Sequence, residues 1–377
     1  MATEKKNKTA KHLLFIFFLV LGVLAGVFIE KIGDAFSITI GAVFYLPIFF
    51  VPILVLVIGI HELGHAIAGI LVKFDFRTYV IGPFLFNKET TGWKFKWNTN
   101  INTAGGLVIC LPTSATDNIN RKFAWYAAGG PLASLILAIL TFALTYFLDN
   151  NTSASANIKF LLMIIGIFSF IIMIATAIPY YANGLASDGA RFISMLKGGD
   201  RAKFEGLILK VMASATSGIR PKLLPIKDLE EAKILGDKLN APFKIYLPSF
   251  YHQIAFDNND FESAEKYLFE HISYVDKMPK GINSSVWVDA AFFYAFAKKD
   301  IKKATAYWSK FTPSAMTQKA QMFATEAAIA LLKEEYNLAR TKIEVAYREL
   351  PNMIDKGLAI ALREKLEKLE TKIHLVT

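Results

Sequence analysis

The chain has 377 residues, 54% of them hydrophobic, with 42 Lys/Arg against 32 Asp/Glu, six His and one cysteine, Cys110. A mean hydropathy of +0.37 is too apolar for an ordinary soluble protein, and the apolar runs stop near residue 199, so the composition predicts a membrane half joined to a soluble half. A single cysteine excludes an internal disulfide and counts against a thiol-based metal site; residues 1–200 hold 15 Lys/Arg against 10 Asp/Glu and the remainder 27 against 22, which is too even a spread for nucleic-acid binding.

At the N-terminus, Lys5, Lys6, Lys8 and Lys11 precede an apolar run from Leu13 to Ile29. The run is longer than the usual core of a signal peptide and no small-x-small cleavage site follows it, so it reads as a retained transmembrane helix. Further apolar segments at about 42–72, 123–148 and 158–180 bring the expected spans to about four, and Pro47 and Pro52 predict a kink or re-entrant start to the second. Lys and Arg are concentrated in the N-terminal tail and in the 73–122 connection (Lys73, Arg77, Lys88, Lys94, Lys96, Arg121, Lys122), whereas the opposite connections hold only Lys31 and Lys159. The positive-inside rule then predicts a multi-pass cell-membrane protein with both termini cytoplasmic.

Inside the second segment stands His61-Glu62-Leu63-Gly64-His65. On a helix, positions i and i+4 share a face, so both imidazoles can reach one zinc ion while Glu62 takes a proton from a water activated there: the constellation for metal-assisted hydrolysis. The rival is a purely structural histidine pair. Three ionisable side chains at membrane depth, costing roughly 2.5 to 3.5 kcal/mol each when charged, weigh against it. After this motif, Phe74 to Trp97 alternates aromatic and polar residues around Asn87-Lys88-Glu89-Thr90-Thr91-Gly92. That pattern predicts a β-hairpin with an aromatic, membrane-edge face, serving as an interfacial anchor or as a strand edge for an extended substrate. Residues 103–112 read as a loop.

A catalytic zinc takes three protein ligands and leaves one position open. Downstream there is no His before His252 and no Glu between Glu89 and Glu205, leaving Asp75, Asp117, Asp149, Asp188 and Asp200 in the membrane half. Asp149 falls on the opposite side of the membrane, and Asp75 and Asp117 sit in polar loops. Asp188 follows the fourth segment on the cytoplasmic side, where Gly184 and Gly189 would allow a tight turn that aims it inward; the rival is an Asp that merely caps the next helix. Beyond residue 199 three similar segments, starting at Asn259, Lys299 and Glu334, each place Ala (Ala264, Ala304, Ala339) three residues after an apolar one. They predict stacked helix hairpins that resemble degenerate tetratricopeptide repeats, the alternative being a non-repetitive α-helical domain.

His61 to His65, then Ala128-Gly129-Gly130-Pro131-Leu132-Ala133-Ser134, then Ser187-Asp188-Gly189 resemble, in order and spacing, the blocks of the site-2 protease family of intramembrane zinc metallopeptidases. Ile81-Gly82-Pro83 also resembles the segment behind its active helix, and the likeness covers about residues 45–195. It implies His61, His65 and Asp188 as zinc ligands, Glu62 as general base, and a membrane protein or membrane-bound peptide as substrate. Two positions depart from the pattern. Tyr180 stands where an Asn is common, so Asn183, in a place where Pro is usual, is expected to supply the substrate-facing contact; Ser134 stands for another common Asn. The expected architecture is thus an α-helical membrane protein with a membrane-edge hairpin, residues 1–199 forming the zinc-protease domain and residues 200–377 a soluble, cytoplasmic, all-α repeat domain that offers a protein partner a surface. A prenyl-protein-type metallopeptidase would need a downstream Glu ligand, which is missing; an inactive metal-binding scaffold presenting the repeats is the non-enzymatic alternative.

Overall fold

The computed structural model describes residues 40–98, 103–113, 118–151, 155–182, 185–278, 283–313 and 317–375; the expected span at 13–30 lies outside them. Three helices are apolar on their outer as well as their inner faces: α1 (Ile40–Leu71), α2 (Ile119–Asn151) and α3 (Ala156–Ala177). Leu56, Leu63, Ile67 and Ile70 on α1, and Ile136, Ile139 and Leu140 on α2, are exposed. Such a surface is stable against lipid rather than water, and each helix contains a stretch long and apolar enough to cross a bilayer. Pro47 and Pro52 do not divide the second segment, because α1 runs through both as one helix, as prolines in membrane helices often allow.

By contacts the described residues form two compact units, those up to residue 57 with those in 134–171, and those in 58–133 with those from residue 172 on. In the first, Ser169 Oγ donates to the Ser134 carbonyl at 2.8 Å, and Phe50 meets Phe168 edge-on at 5.7 Å. Gly166 lets Thr141 and Phe142 approach where any side chain would collide.

The second unit holds an antiparallel sheet of β1 (Phe74–Ile81), β2 (Phe84–Glu89), β3 (Gly92–Trp97) and β4 (Leu107–Pro112), in the order β3-β2-β1-β4. The segment read as one hairpin is therefore three strands, with Tyr79 opposite Phe86 and Phe86 opposite Phe95. The expected loop at 103–112 is corrected: its second half is β4. Leu107-Val108-Ile109-Cys110-Leu111-Pro112 is a short, unbroken apolar run, and such runs are buried strands when a helix covers them; Val108 and Cys110 pack with Ala66 of α1 and Phe74 of β1.

A two-residue strand pair, β5 (Tyr181–Ala182) and β6 (Leu185–Ala186), leads from α3 into α4 (Asp188–Lys197). Asn183, between the two strands, lies outside the described residues. α5 (Asp200–Thr216) packs on α4 and on β4, where Thr216 Oγ1 donates to the Pro112 carbonyl at 2.7 Å. After α6 (Ile226–Lys238), the chain forms three helix pairs: α7 (Leu247–Asp257) with α8 (Phe261–Ile272), α9 (Ser284–Phe293) with α10 (Ile301–Trp308), and α11 (Lys319–Leu332) with α12 (Tyr336–Glu349). The similar sequence segments form similar turns. Asn259, Lys299 and Glu334 all adopt left-handed φ, of 59°, 54° and 62°. Asp260 and Asp300 then cap the following helices by accepting from Ser263 N and Lys303 N, and Ala264, Ala304 and Ala339 are fully buried.

The last helix, α13 (Lys356–His374), packs back on α5. One ion-pair node fixes this return. Arg220 donates to both carboxylate oxygens of Asp257, at 3.0 and 2.7 Å, and to Glu364 of α13 at 2.8 Å, while Lys222 N donates to Asp257 at 3.1 Å. The Asp257 side chain is only 2% exposed. Burial would raise its carboxyl, but the Arg220 and Lys222 hydrogen bonds outweigh that and hold it below the usual carboxylate range. Arg220→Ala leaves the buried carboxylate with only Lys222 N and the Lys365 ammonium 3.9 Å away, and should cost about 3 kcal/mol in denaturant unfolding. Because the folded pKa is depressed, the wild-type contribution is present above about pH 4 and is lost on acidification, a dependence that the variant should lack.

Candidate active site

α1 carries His61 and His65 on one face, their rings nearly perpendicular with centroids 5.0 Å apart, and both are buried. What brings the rest of the site to them is a contact without side chains. A Cβ on Gly64 would run into the Gly129 carbonyl, and one on Gly129 into the Gly64 carbonyl, so α1 and α2 meet backbone to backbone. Gly130 lies directly under the two imidazoles: a Cβ there would sit 2.7 Å from His61 Nε2 and collide with His65 Nε2.

From the α4 side, Asp188 Oδ2 lies 3.4 Å from His61 Nε2 and 3.3 Å from His65 Nε2. Asp188 does not cap the helix. Ser187 does: its Oγ accepts from Ala190 N and from Tyr180 N, both at 3.2 Å, and donates to the Ile178 carbonyl at 2.7 Å, which leaves the Asp188 carboxylate to face the histidines. Gly189, expected to loosen a turn, is helical and serves close packing, since a Cβ would collide with the Ala177 carbonyl.

His65 Nδ1 lies 2.9 Å from the Tyr126 carbonyl. A carbonyl only accepts, and this contact is shorter than the 3.3 Å from Gly130 N to the same atom, so Nδ1 carries the proton and the Nε2 lone pair points toward Asp188. Two imidazole nitrogens and a carboxylate oxygen thus converge, all within 4.8 Å of one another. Lone pairs so arranged repel unless a cation lies among them, and two nitrogens with one oxygen is a donor set that suits a divalent metal ion. The residues fit a metal.

A cavity of about 500 Å³ opens onto these groups and is also lined by Glu62, Gly106, Tyr126, Tyr180 and Arg191. Gly106 has φ of 104°, and a Cβ there would lie 2.5 Å from Glu62 Oε1, so only glycine lets the approach to β4 pass this close to the carboxylate. Tyr79 of β1 donates its hydroxyl to the Gly59 carbonyl at 2.5 Å, tying the sheet to α1 two residues before His61; burial pushes that hydroxyl up to about 12, so it stays a donor. Tyr126 likewise donates to the Val108 carbonyl at 2.8 Å.

The four residues singled out by sequence, His61, Glu62, His65 and Asp188, line one cavity, while Asn183 lies outside the described residues. Gly106, Tyr79 and Tyr126 were not legible from it. The Gly105-Gly106 pair was the one available signal, whereas Tyr126 orients His65 through its main-chain carbonyl, a role that leaves no mark on residue type.

Helices apolar enough to cross a membrane, together with a His-His-Asp group that could hold a metal ion, mark the class of membrane metalloproteins. The model of peptidase family M50 matches residues 49–349, and the chain belongs to that family, the site-2 protease family that its motifs resemble. Membership implies a membrane metalloprotease with membrane-associated substrates. No curated protein and no solved structure gives a significant match.

Gly130→Ala puts a methyl group between the two rings. It should weaken metal binding at least about tenfold with the helical circular-dichroism signal unchanged; full metal content at limiting metal would show that the rings have room to spare.

Proposed function

We propose that the protein is an intramembrane zinc endopeptidase that hydrolyses peptide bonds of membrane-embedded or membrane-associated substrates, in regulated proteolysis or peptide maturation. His61, His65 and Asp188 are its metal ligands and Glu62 its general base. The observation that carries this reading is the convergence of two Nε2 atoms and Asp188 Oδ2 beside Glu62, on a helix apolar enough to cross a membrane.

His61, His65 and Asp188 would hold the zinc, which would supply Lewis acidity toward a carbonyl and a water. Glu62, one residue from His61 and facing the cavity, takes the water's proton and returns it to the leaving nitrogen. The Tyr126 carbonyl keeps His65 in the tautomer that binds metal, and Ser187 keeps Asp188 aimed. A substrate helix hides its carbonyls in its own hydrogen bonds and must unwind. The strand that lines the cavity is β4, through Leu107 and Val108, so an extended substrate pairs at its Gly106 end; the Val108 carbonyl is already taken by Tyr126. Asn183 follows β5 in sequence, three residues from each of the cavity-lining Tyr180 and Ala186, and is assigned to substrate contact.

His61 and His65 lie about 12 to 18 Å from Lys73 along α1 at 1.5 Å per residue, and the Lys/Arg-rich connection beyond puts the site nearer the cytoplasmic face, with both termini on that side. The exposed Phe84, Trp93, Phe95 and Trp97 of the sheet suit the membrane interface. Residues 200–377 form the cytoplasmic repeat domain that recruits substrate or docks a partner. Its link to the sheet is concrete: Thr90 N and Oγ1 donate to Asn352 Oδ1 at 3.1 and 2.7 Å.

The test is co-expression with single-span membrane proteins, reading for a cleaved fragment. Glu62→Gln should lower cleavage by about 100- to 10,000-fold while metal stays bound. Undiminished cleavage by that variant would sink the mechanism, and a wild type that binds metal yet cleaves nothing would favour the inactive scaffold, since the family includes inactive members.

A further inference from the structure

α4 brings a second charged residue to the cavity. Arg191 stands at i+3 from Asp188, hence on the same face of the helix, and lines the cavity with His61, Glu62, His65 and Asp188. Its surroundings do not use up its donors. Among the described residues the carboxylate paired with it is Glu205 of α5, at 3.6 Å, beyond hydrogen-bond distance. Its Nε is buried and has no hydrogen-bond partner. The Phe123 ring also lies against it, 5.4 Å from the guanidinium carbon. Burial also raises the Glu205 carboxyl above the usual range, which makes it a weaker counterion.

A buried donor left without an acceptor is costly, and the Arg191 Nε faces Glu205 without closing that pair, while the side chain is part-exposed toward the cavity. Donors left open beside a reacting centre gain their worth when charge develops there. We propose that Arg191 is a catalytic residue that donates to the carbonyl oxygen of the scissile peptide bond as it becomes negative, an assignment that rests on the hydrolytic reading above. In that step the water oxygen bonds to the carbonyl carbon, the π pair moves onto the carbonyl oxygen facing Arg191, and Glu62 takes the water's proton. The C=O bond then re-forms as the C–N bond breaks, and the proton leaves on the nitrogen, giving a carboxylic acid and an amine. A planar, always-charged fork suits this task better than an ammonium would.

The experiment measures kcat and KM on the substrate fragment found by co-expression, using full-length protein with Arg191→Ala, Glu205→Gln and Glu62→Gln. Arg191→Ala should lose about 100- to 1,000-fold in kcat, keep KM within about threefold and retain its metal. Added guanidinium should restore part of that activity and none of the Glu62→Gln activity. Glu205→Gln, which removes the ion pair and leaves the guanidinium, should cost far less than Arg191→Ala. An equal loss in Glu205→Gln, or a loss of metal in Arg191→Ala, or no response to guanidinium would assign Arg191 to structure and overturn the proposal. Full activity of Arg191→Ala beside a dead Glu62→Gln overturns the proposal alone, whereas an active Glu62→Gln overturns the hydrolytic reading beneath it.

Discussion

α1 and α2 touch at Gly64 and Gly129 with no side chain between them, and the site hangs on that contact. In lipid there is no hydrophobic drive to hold helices together, so close backbone approach supplies the packing. Its chemical effect is local. With Gly64 between the two histidines and Gly130 beside Gly129, the approach lays α2 under both imidazoles and brings the Tyr126 carbonyl within 2.9 Å of His65. The small residues of the two motif blocks are therefore not spacers; they are the reason that the histidines can share an ion.

Each remaining group comes from a different element. Asp188 is delivered by α4 and held there by Ser187, and the backbone of Gly106 closes over Glu62 on the way into β4. Tyr79 and Tyr126 clamp the sheet to α1 and α2 with one hydrogen bond each. The helices after residue 199 join the same compact unit through α5 against β4, through the return of α13 onto α5, and through Asn352 against the β2–β3 turn.

Much of this was legible in the sequence because residue type and spacing carry it. Histidines at i and i+4 in an apolar helix, and the elimination that left Asp188, depend on which side chains exist at all. Apolar length marked α1, α2 and α3, and the repeated Asn259, Lys299 and Glu334 segments marked three turns of one geometry. What escaped was carried by backbone. β4 lacks the polar–apolar alternation that announces a strand, since its residues are buried or half-buried, with Val108 and Cys110 against α1. Tyr126 acts through its carbonyl, Gly189 through a missing Cβ, and α1 carries its prolines without breaking. Residue type and spacing do not mark Arg191 either; its buried Nε and its long pair with Glu205 do.

The most direct measurement of the central claim is X-ray absorption at the zinc edge of the purified full chain, compared with Asp188→Ala. A site of this kind predicts one zinc per chain with two imidazole nitrogens and oxygen at about 2.0 to 2.2 Å, and loss of zinc or of an oxygen neighbour in the variant. A sulfur neighbour, a single imidazole, or a spectrum indifferent to Asp188 would contradict it.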